Sequence, residues 1–174
     1  DGRYEAVEQE LKKVVQRGET SVLDVGCGKG AYIHNLLRDV REAKYSAVDI
    51  STKVMSFIKD DVVEKKEGSL TAIPYPDNTF DFTYTTEALE HAVDIESAVR
   101  ELCRVTKPGG EVLILDKNIE MLGTLEIGEW EQWFDAEKLC EELGKYCTET
   151  RVYENVRYNE KADGLFCAWI GKVE

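Results

Sequence analysis

The chain has 174 residues, of which 43% are hydrophobic, and its formal net charge is −13. This length supports one domain with a substantial core and is short for two. The excess of 35 acidic over 22 basic residues repels phosphate backbones, so we expect a small-molecule substrate rather than a nucleic acid. No apolar run approaches the roughly 20 residues that cross a bilayer, so we expect no membrane partner.

The start of the chain and its cysteines bear on where the protein works. Residues 1 to 17 are strongly charged, unlike a secretory signal, and the five cysteines show no CxxC spacing. We therefore expect a cytoplasmic protein whose reduced cysteines pack as small core residues. The sequence begins at Asp1 without a methionine, which is compatible with a domain excised from a longer protein.

The first third of the chain predicts a helix, a strand, a glycine loop and a second helix. An amphipathic helix is expected over residues 3 to 17, and a short buried strand at 22 to 25. Glycines follow on alternate positions, where the missing Cβ permits positive φ and lets a ligand lie against bare backbone. The next helix is marked on one face by Ile33, Leu36, Leu37 and Val40.

The glycine loop fits more than one class of nucleotide site. Gly26-x-Gly28-x-x-Ala31 matches the dinucleotide fingerprint, and Asp49 ends a second predicted strand at the distance expected for a ribose-binding acid. An NAD-dependent oxidoreductase is therefore one hypothesis. The loop is also preceded by Asp24 on the strand itself, an acid that the dinucleotide fingerprint does not require.

The remaining elements continue an alternation of strands and helices. Residues 60 to 78 are polar and loop-like, residues 79 to 85 alternate as a strand, and Asp94 caps the following helix. A tight turn at 107–110 then precedes a buried strand at 111–115. The chain closes with a helix near 136–143 and two strands, 151–156 and 165–170, of which the second is apolar on both faces and should lie inside the sheet.

Five motifs stand in order along the chain: VLDVGCGKG at 22–30, AVDIS at 47–51, IPYPDNTFD at 73–81, ALEHAVD at 88–94 and RVTKPGGEVLIL at 104–115. Taken in order and at their spacing, they resemble the class I S-adenosylmethionine-dependent methyltransferases, in particular the ubiquinone/menaquinone-biosynthesis-like (methyltransferase type 11) branch. The resemblance covers residues 20 to 116 well and the closing strands by topology only. It implies a Rossmann-like α/β fold with a seven-stranded, mostly parallel sheet, one antiparallel strand, and helices on both faces.

The resemblance also implies S-adenosyl-L-methionine as cofactor and assigns residues to it. The glycines approach its methionine part, and Asp49 accepts hydrogen bonds from the ribose hydroxyls. Relatives usually carry an aspartate where Ser69 stands, so we expect a weaker acceptor for the adenine amino group there. The implied cofactor-binding residues are Asp24, Gly26, Cys27, Gly28, Gly30, Asp49, Ile50, Ser69, Leu70 and Thr85.

The candidate catalytic residues are Glu87, Glu90 and His91, just after the predicted strand at 79–85. A hydroxyl or amine acceptor can need a base to take its proton, and a neutral imidazole suits that role. Glu-x-x-Glu-His also resembles a divalent-metal cluster of some relatives, so a metal such as Mg²⁺ held by these three residues is a second hypothesis. A purely structural role is the third. His34, in the predicted second helix, is expected to be a surface or helix-capping residue.

We therefore expect an enzyme, a methyltransferase that acts on a small polar acceptor such as a sugar hydroxyl. Within a single domain spanning 1–174, residues 117–134 should form a lid that selects the acceptor. Three alternatives stay open here: methyl transfer to an RNA end or base, an NAD-dependent oxidoreductase, and an inactive cofactor-binding module. The sequence leaves the acceptor atom and the oligomeric state open. The lid residues singled out are Glu120, Met121, Trp130 and Trp133.

Overall fold

The structure, a computed structural model, describes residues 1–59, 61–122, 131–158 and 161–174. Its strands are β1 (Thr20–Val25), β2 (Ala43–Asp49), β3 (Glu64–Glu67), β4 (Phe80–Thr86), β5 (Thr106–Lys117), β6 (Cys147–Tyr158) and β7 (Lys161–Val173). Its helices are α1 (Gly2–Val15), α2 (Ala31–Asp39), α3 (Thr52–Met55), α4 (Ile95–Arg104) and α5 (Ala136–Gly144). Short 3-10 turns lie at Leu89–His91 and Ile119–Met121.

Within the described ranges, the strands form one seven-stranded sheet in the order β3-β2-β1-β4-β5-β7-β6. The pairs from β3 to β5 are parallel, and β7 runs antiparallel to both β5 and β6. This confirms the predicted fold class, including the single reversed strand. The order changes direction between β1 and β4, and in open α/β sheets ligands bind beside the carboxyl ends of the strands at such a point.

Helices cover both faces of the sheet. On one face, α1 and α2 bury Leu11 and Ile33 in a cluster that includes Phe82 of β4. On the other face, α4 and α5 bury Leu102 and Leu139 together with Trp169 of β7. The apolar run 165–170 is buried between β5 and β6, as its two apolar faces predicted.

Strand β3 was not predicted, because residues 60–78 are polar and were expected to be rich in loops. Glu64–Glu67 pairs in parallel with β2 at the edge of the sheet. Its sequence, EKKE, shows no apolar alternation. Charged side chains are common on short edge strands because they discourage the open edge from pairing with another chain. The predicted turn at 107–110 is likewise drawn into β5, which pairs irregularly with β4 there.

A helix that crosses a bilayer must be long and apolar. None of the helices in the described ranges combines the length and the apolar character that a bilayer crossing requires.

Candidate active site

A cavity of about 420 Å³ lies at the carboxyl ends of β1, β2 and β4, where the strand order reverses. Gly26 follows β1, Asp49 ends β2, and Glu87 follows β4, so the ends of three parallel strands each contribute to the cavity wall. Of the predicted site residues, those that line this cavity are Gly26, Asp49, Ile50, Ser69, Leu70, Glu87 and His91.

The glycine loop presents backbone to the cavity because its glycines adopt left-handed conformations. The φ angles are 74° at Gly26, 54° at Gly28 and 81° at Gly30. A Cβ added to Gly26 would lie 2.5 Å from the Cβ of Ala88, so the loops after β1 and β4 touch at this point. The loop is also tied to β2, since the N–H groups of Gly26 and Cys27 both donate to the Val48 carbonyl.

Asp49 joins the loop to the end of β2. Its Oδ2 accepts the N–H of Gly28 at 2.9 Å, and its Oδ1 accepts the N–H of Ser51 at 3.0 Å. Each carboxylate oxygen carries two lone pairs, so each can accept one further donor from the cavity. Asp49 therefore has the geometry of an acceptor for a pair of neighbouring hydroxyls.

Asp24 lies buried beneath the loop. Its Oδ2 accepts the Tyr84 hydroxyl at 2.9 Å, and no group of the described residues donates to its Oδ1. Burial raises the pKa of Asp24 to about 7; the Tyr84 hydrogen bond opposes this shift and the charge of Asp49 adds to it. Asp24 therefore does not line the cavity but lies buried behind the glycine loop.

Three other predicted cofactor residues also sit behind the wall. Thr85 is fully buried and donates its hydroxyl to the Val25 carbonyl at 2.8 Å. Burial raises the pKa of the Cys27 thiol, with the charges of Asp24 and Asp49 adding to the effect. A Cβ on Gly30 would meet the Ile58 side chain at 2.5 Å, so this glycine packs closely against the segment after α3. These residues hold the loop in place.

A second wall of the cavity comes from the segment after β3. The Ser69 hydroxyl accepts the N–H of Thr71 at 3.0 Å and lies 2.8 Å from the Thr71 hydroxyl, so its position is fixed locally. Gly68 and Thr71 line the cavity beside it, although the sequence did not single them out. Ile50 projects at the cavity edge with 73% of its surface exposed.

The predicted Glu87–Glu90–His91 cluster is not assembled as such. Glu87 has a left-handed backbone (φ 52°), and its Oε2 accepts from Nη1 of Arg3 on α1 at 2.9 Å. Glu90 is buried in the following 3-10 turn, with Oε1 lying 3.2 Å from His91 Nε2. The left-handed residue breaks the helical spacing that would place side chains i and i+3 on one face. In the described ranges, the acidic partner that joins Glu90 and His91 is Glu131.

Two residues at the end of β5 complete this region. Asp116 is buried and accepts the N–H groups of Glu90 and Lys117, and burial followed by the charge of Glu90 raises its pKa. Lys117 is also buried, and its Nζ contacts Glu90 Oε2. Burial lowers the pKa of Lys117, but the contact with Glu90 and the neighbouring carboxylates outweigh burial, so the net pKa is raised.

Comparison with known proteins identifies the family. A family model described as a methyltransferase domain matches residues 23–114, which is more than half of the chain. The chain belongs to this methyltransferase-domain family. The resemblance predicted from its five motifs is thereby confirmed.

Curated relatives of this methyltransferase domain are longer proteins. It is 32% identical over 138 residues to a malonyl-[acyl-carrier protein] O-methyltransferase of Halorhodospira halophila, covering 76% of this chain and 46% of that protein. It is 32% identical over 114 residues to a demethylmenaquinone methyltransferase of Shouchella clausii, covering 61% of this chain and 48% of that protein. The chain therefore spans about half the length of the curated relatives that it matches.

The fold also matches a solved structure. Phosphoethanolamine N-methyltransferase 2 of Haemonchus contortus, solved in complex with S-adenosyl-L-methionine, superposes with a TM-score of 0.71. The match covers 95% of this chain and 52% of the other at 16% sequence identity, so it supports the fold alone.

The residues that sequence reasoning missed in this methyltransferase domain share one signal. Asp116, Lys117 and Asn118 are a polar run directly after the apolar strand 111–115, and polar residues at the carboxyl end of a buried strand often face the ligand side. The segment 117–134 is described only in part: Trp133 is buried and absent from the cavity wall, and Glu120 is exposed. Met121 is half-buried, and Trp130 falls outside the described residues. His34 is exposed on α2, as expected.

Proposed function

We propose that this domain transfers the methyl group of S-adenosyl-L-methionine to a small polar acceptor, in first place to a hydroxyl of a sugar or similar metabolite. The observation that carries the proposal is a single cavity in which the bare backbone at Gly26, the carboxylate of Asp49 and the imidazole of His91 meet. The cofactor supplies an electrophilic methyl group on a sulfonium. The protein supplies binding, orientation and a route for the proton of the acceptor.

The residues of the cavity fit this cofactor. Close backbone approach is available at Gly26, where no side chain has room, and Asp49 retains an acceptor lone pair on each oxygen for the ribose hydroxyls. Ile50 and Leu70 offer apolar surface of the kind that an adenine ring packs against. The hydroxyl of Ser69 stands beside them as a neutral acceptor, weaker than a carboxylate.

His91 supports the assignment of a hydroxyl acceptor. Its side chain is about half exposed (49%) and lines the cavity, while its Nε2 lies 3.2 Å from a carboxylate oxygen of buried Glu90. A carboxylate on one ring nitrogen favours the proton there and leaves Nδ1 as the free acceptor. A base of this kind is most useful where the acceptor atom must lose a proton, as an alcohol oxygen does.

Calorimetry and turnover test the proposal. We expect binding of S-adenosylhomocysteine in the micromolar range and none of NAD, and methyl transfer to members of a polyol and sugar panel. His91→Ala should lower the rate by about 10²–10⁴-fold. His34→Ala is the matched control, because it removes the chain's other histidine from an exposed site on α2.

Each contrary outcome points to one of the alternatives. Preferential binding of NAD would overturn the cofactor assignment. Binding of S-adenosylhomocysteine without turnover on any acceptor would favour a binding module. Full activity of His91→Ala, or efficient transfer to an amine or carbon acceptor, would contradict the role of His91 as a base.

A further inference from the structure

Beside His91, the carboxylates of Glu90 and Glu131 lie close to the ammonium group of Lys117. Ligand atoms of Glu90, His91 and Glu131 all lie within 4.8 Å of one another, an arrangement that could hold a metal ion. Lys117 reaches into the same group from the end of β5, and its side chain is only 5% exposed. Its Nζ contacts Glu90 Oε2 and lies 4.0 Å from Glu131 Oε2.

The contacts of Lys117 are those expected of a shared counter-ion. A buried ammonium is tolerated when carboxylates compensate it, and buried charges in proteins are either paired or bound to metals. Glu131 Oε2 is buried and accepts no hydrogen bond within the described part of the chain, so the ammonium at 4.0 Å is the positive charge it faces. Lys117 thus stands between two acidic side chains, as a cation ligated by both would.

The divalent-metal hypothesis drawn from the motif does not fit this arrangement. Of its three ligands, Glu87 is paired with Arg3, and one oxygen of Glu90 is taken by Lys117. An ion bound to the remaining carboxylate oxygens would sit a few ångströms from the buried ammonium, where two positive charges repel strongly.

We propose that Lys117 is a built-in cation that takes the place of a divalent metal among Glu90, His91 and Glu131. The wild-type cluster therefore binds no divalent ion, and removal of the amine creates a site for one. A further consequence, which rests on the proposed function, is that Lys117 is a positioning residue: it fixes the Glu90 carboxylate, which in turn orients the imidazole of His91.

Titration with Mn²⁺ tests the proposal without any assay of activity. We compare wild-type protein, Lys117→Met, and the double variant Lys117→Met/Glu90→Gln by calorimetry and by the thermal midpoint. Wild type should bind no Mn²⁺ at this site, whereas Lys117→Met should bind it and gain thermal stability from it, because two carboxylates and an imidazole suit this ion. The double variant should lose the new binding, since Glu90 is a ligand of the created site.

Paramagnetic broadening locates the ion even if a variant folds poorly. The chain has two histidines, so the ring protons of His91 can be compared with those of exposed His34 in the same spectrum. Mn²⁺ should broaden His91 no more than His34 in wild type and selectively in Lys117→Met. Selective broadening of His91 in wild type would overturn the proposal, and so would a folded Lys117→Met that binds no Mn²⁺.

Folding and turnover supply the remaining readouts. If Lys117→Met folds only when Mn²⁺ is present during refolding, the ion has replaced the amine and the proposal is supported; if only the double variant folds, with or without Mn²⁺, the proposal is wrong. For the positioning role, Lys117→Met should lower kcat while affinity for S-adenosylhomocysteine stays unchanged, and Lys117→Arg should restore part of kcat. Absence of turnover in wild type would defeat the proposed function and leave the Mn²⁺ results to decide on Lys117.

Discussion

Asp49 at the end of β2 accepts the backbone N–H of Gly28 at 2.9 Å, so the acid assigned to the ribose also holds the glycine loop. Substitution of Asp49 therefore acts on two parts of the cavity together. Asp49→Ala should weaken binding of S-adenosylhomocysteine by on the order of 3 kcal/mol, or about 100-fold, since two charge-assisted hydrogen bonds are lost. Asp49→Asn should lose less, because the amide oxygen can still accept one N–H.

Glu67 provides the control for Asp49. It lies opposite Asp49 in the register of β2 and β3, is exposed, and does not line the cavity. Glu67→Gln removes the same charge one strand away and should leave affinity unchanged by calorimetry. Wild-type affinity in Asp49→Ala would mean that the ribose binds elsewhere.

Substitution of Gly26 can show whether this position requires glycine because of its contact with Ala88 or only because of its positive φ. Gly26→Ala should destabilise the fold and weaken cofactor binding, because a Cβ would lie 2.5 Å from that of Ala88 and φ is 74°. Gly109→Ala is matched in φ, at 82°, but meets no atom within 4 Å. We expect Gly109→Ala to lose about 1–2 kcal/mol in urea unfolding, the cost of a left-handed alanine, and Gly26→Ala to lose more.

A second variant checks the cause of that difference. Ala88→Gly added to Gly26→Ala removes the clashing atom and should recover the part of the loss that exceeds Gly109→Ala. Equal losses in Gly26→Ala and Gly109→Ala would show that the contact with Ala88 relaxes at no cost.

Local sequence patterns were sufficient to predict most of the fold and the loop side of the cavity. Gly26 and Asp49 each belong to a short motif at the end of a strand whose apolar character marks it as buried. The fold then brings these strand ends together, because parallel neighbours point their carboxyl ends to the same edge of the sheet. Residues whose place in the cavity wall follows from strand position could therefore be predicted.

Contacts between distant segments could not be predicted in the same way. Arg3 and Glu87 are 84 positions apart and pair because α1 packs beside the end of β4. Lys117 joins Glu90 across 27 positions, and neither residue carries a local pattern that names the other. Strand β3 was missed for another reason, since a charged edge strand lacks the apolar signal on which strand prediction depends.

Asp24 should make the stability of the domain depend on pH. Its pKa in the folded protein is about 7, above the ordinary value of 3.8, so the folded state holds this proton more tightly than the unfolded state. The contribution is complete below pH 4 and is lost as the pH rises towards 7, on the order of 4 kcal/mol in the free energy of unfolding. Urea unfolding at several pH values in this window measures the loss.

The variant Asp24→Asn isolates this contribution from those of the other acids. Asparagine keeps the size of the side chain and an oxygen that can accept the Tyr84 hydroxyl, but it does not titrate. The difference in unfolding free energy between wild type and Asp24→Asn should therefore shift in favour of the variant between pH 4 and 7. A constant difference across this range would show that Asp24 stays charged in the folded protein.

The ion pair of Arg3 and Glu87 should affect the relative affinity of the cavity for cationic and neutral ligands. Glu87 lines the cavity, and its carboxylate is held by Arg3, whose guanidinium also lies 4.6 Å from the centre of the Tyr158 ring. Arg3→Met keeps apolar contact with that ring and leaves the Glu87 charge unpaired. We expect binding of cationic S-adenosylmethionine to improve relative to neutral S-adenosylhomocysteine by about two- to fivefold, the size of one partly exposed ion pair.

Glu87→Gln should shift the same ratio in the opposite direction, because it removes the negative charge and leaves Arg3 unpaired beside the cavity. The ratio of the two dissociation constants, measured by calorimetry, cancels any general loss of affinity from disturbed packing of α1. Asp1→Asn serves as the control: Asp1 is the other acidic partner of Arg3, at 2.7 Å, but it does not line the cavity. A ratio that is unchanged in both Arg3→Met and Glu87→Gln would place the sulfonium out of reach of this pair and leave the pair a role in docking α1.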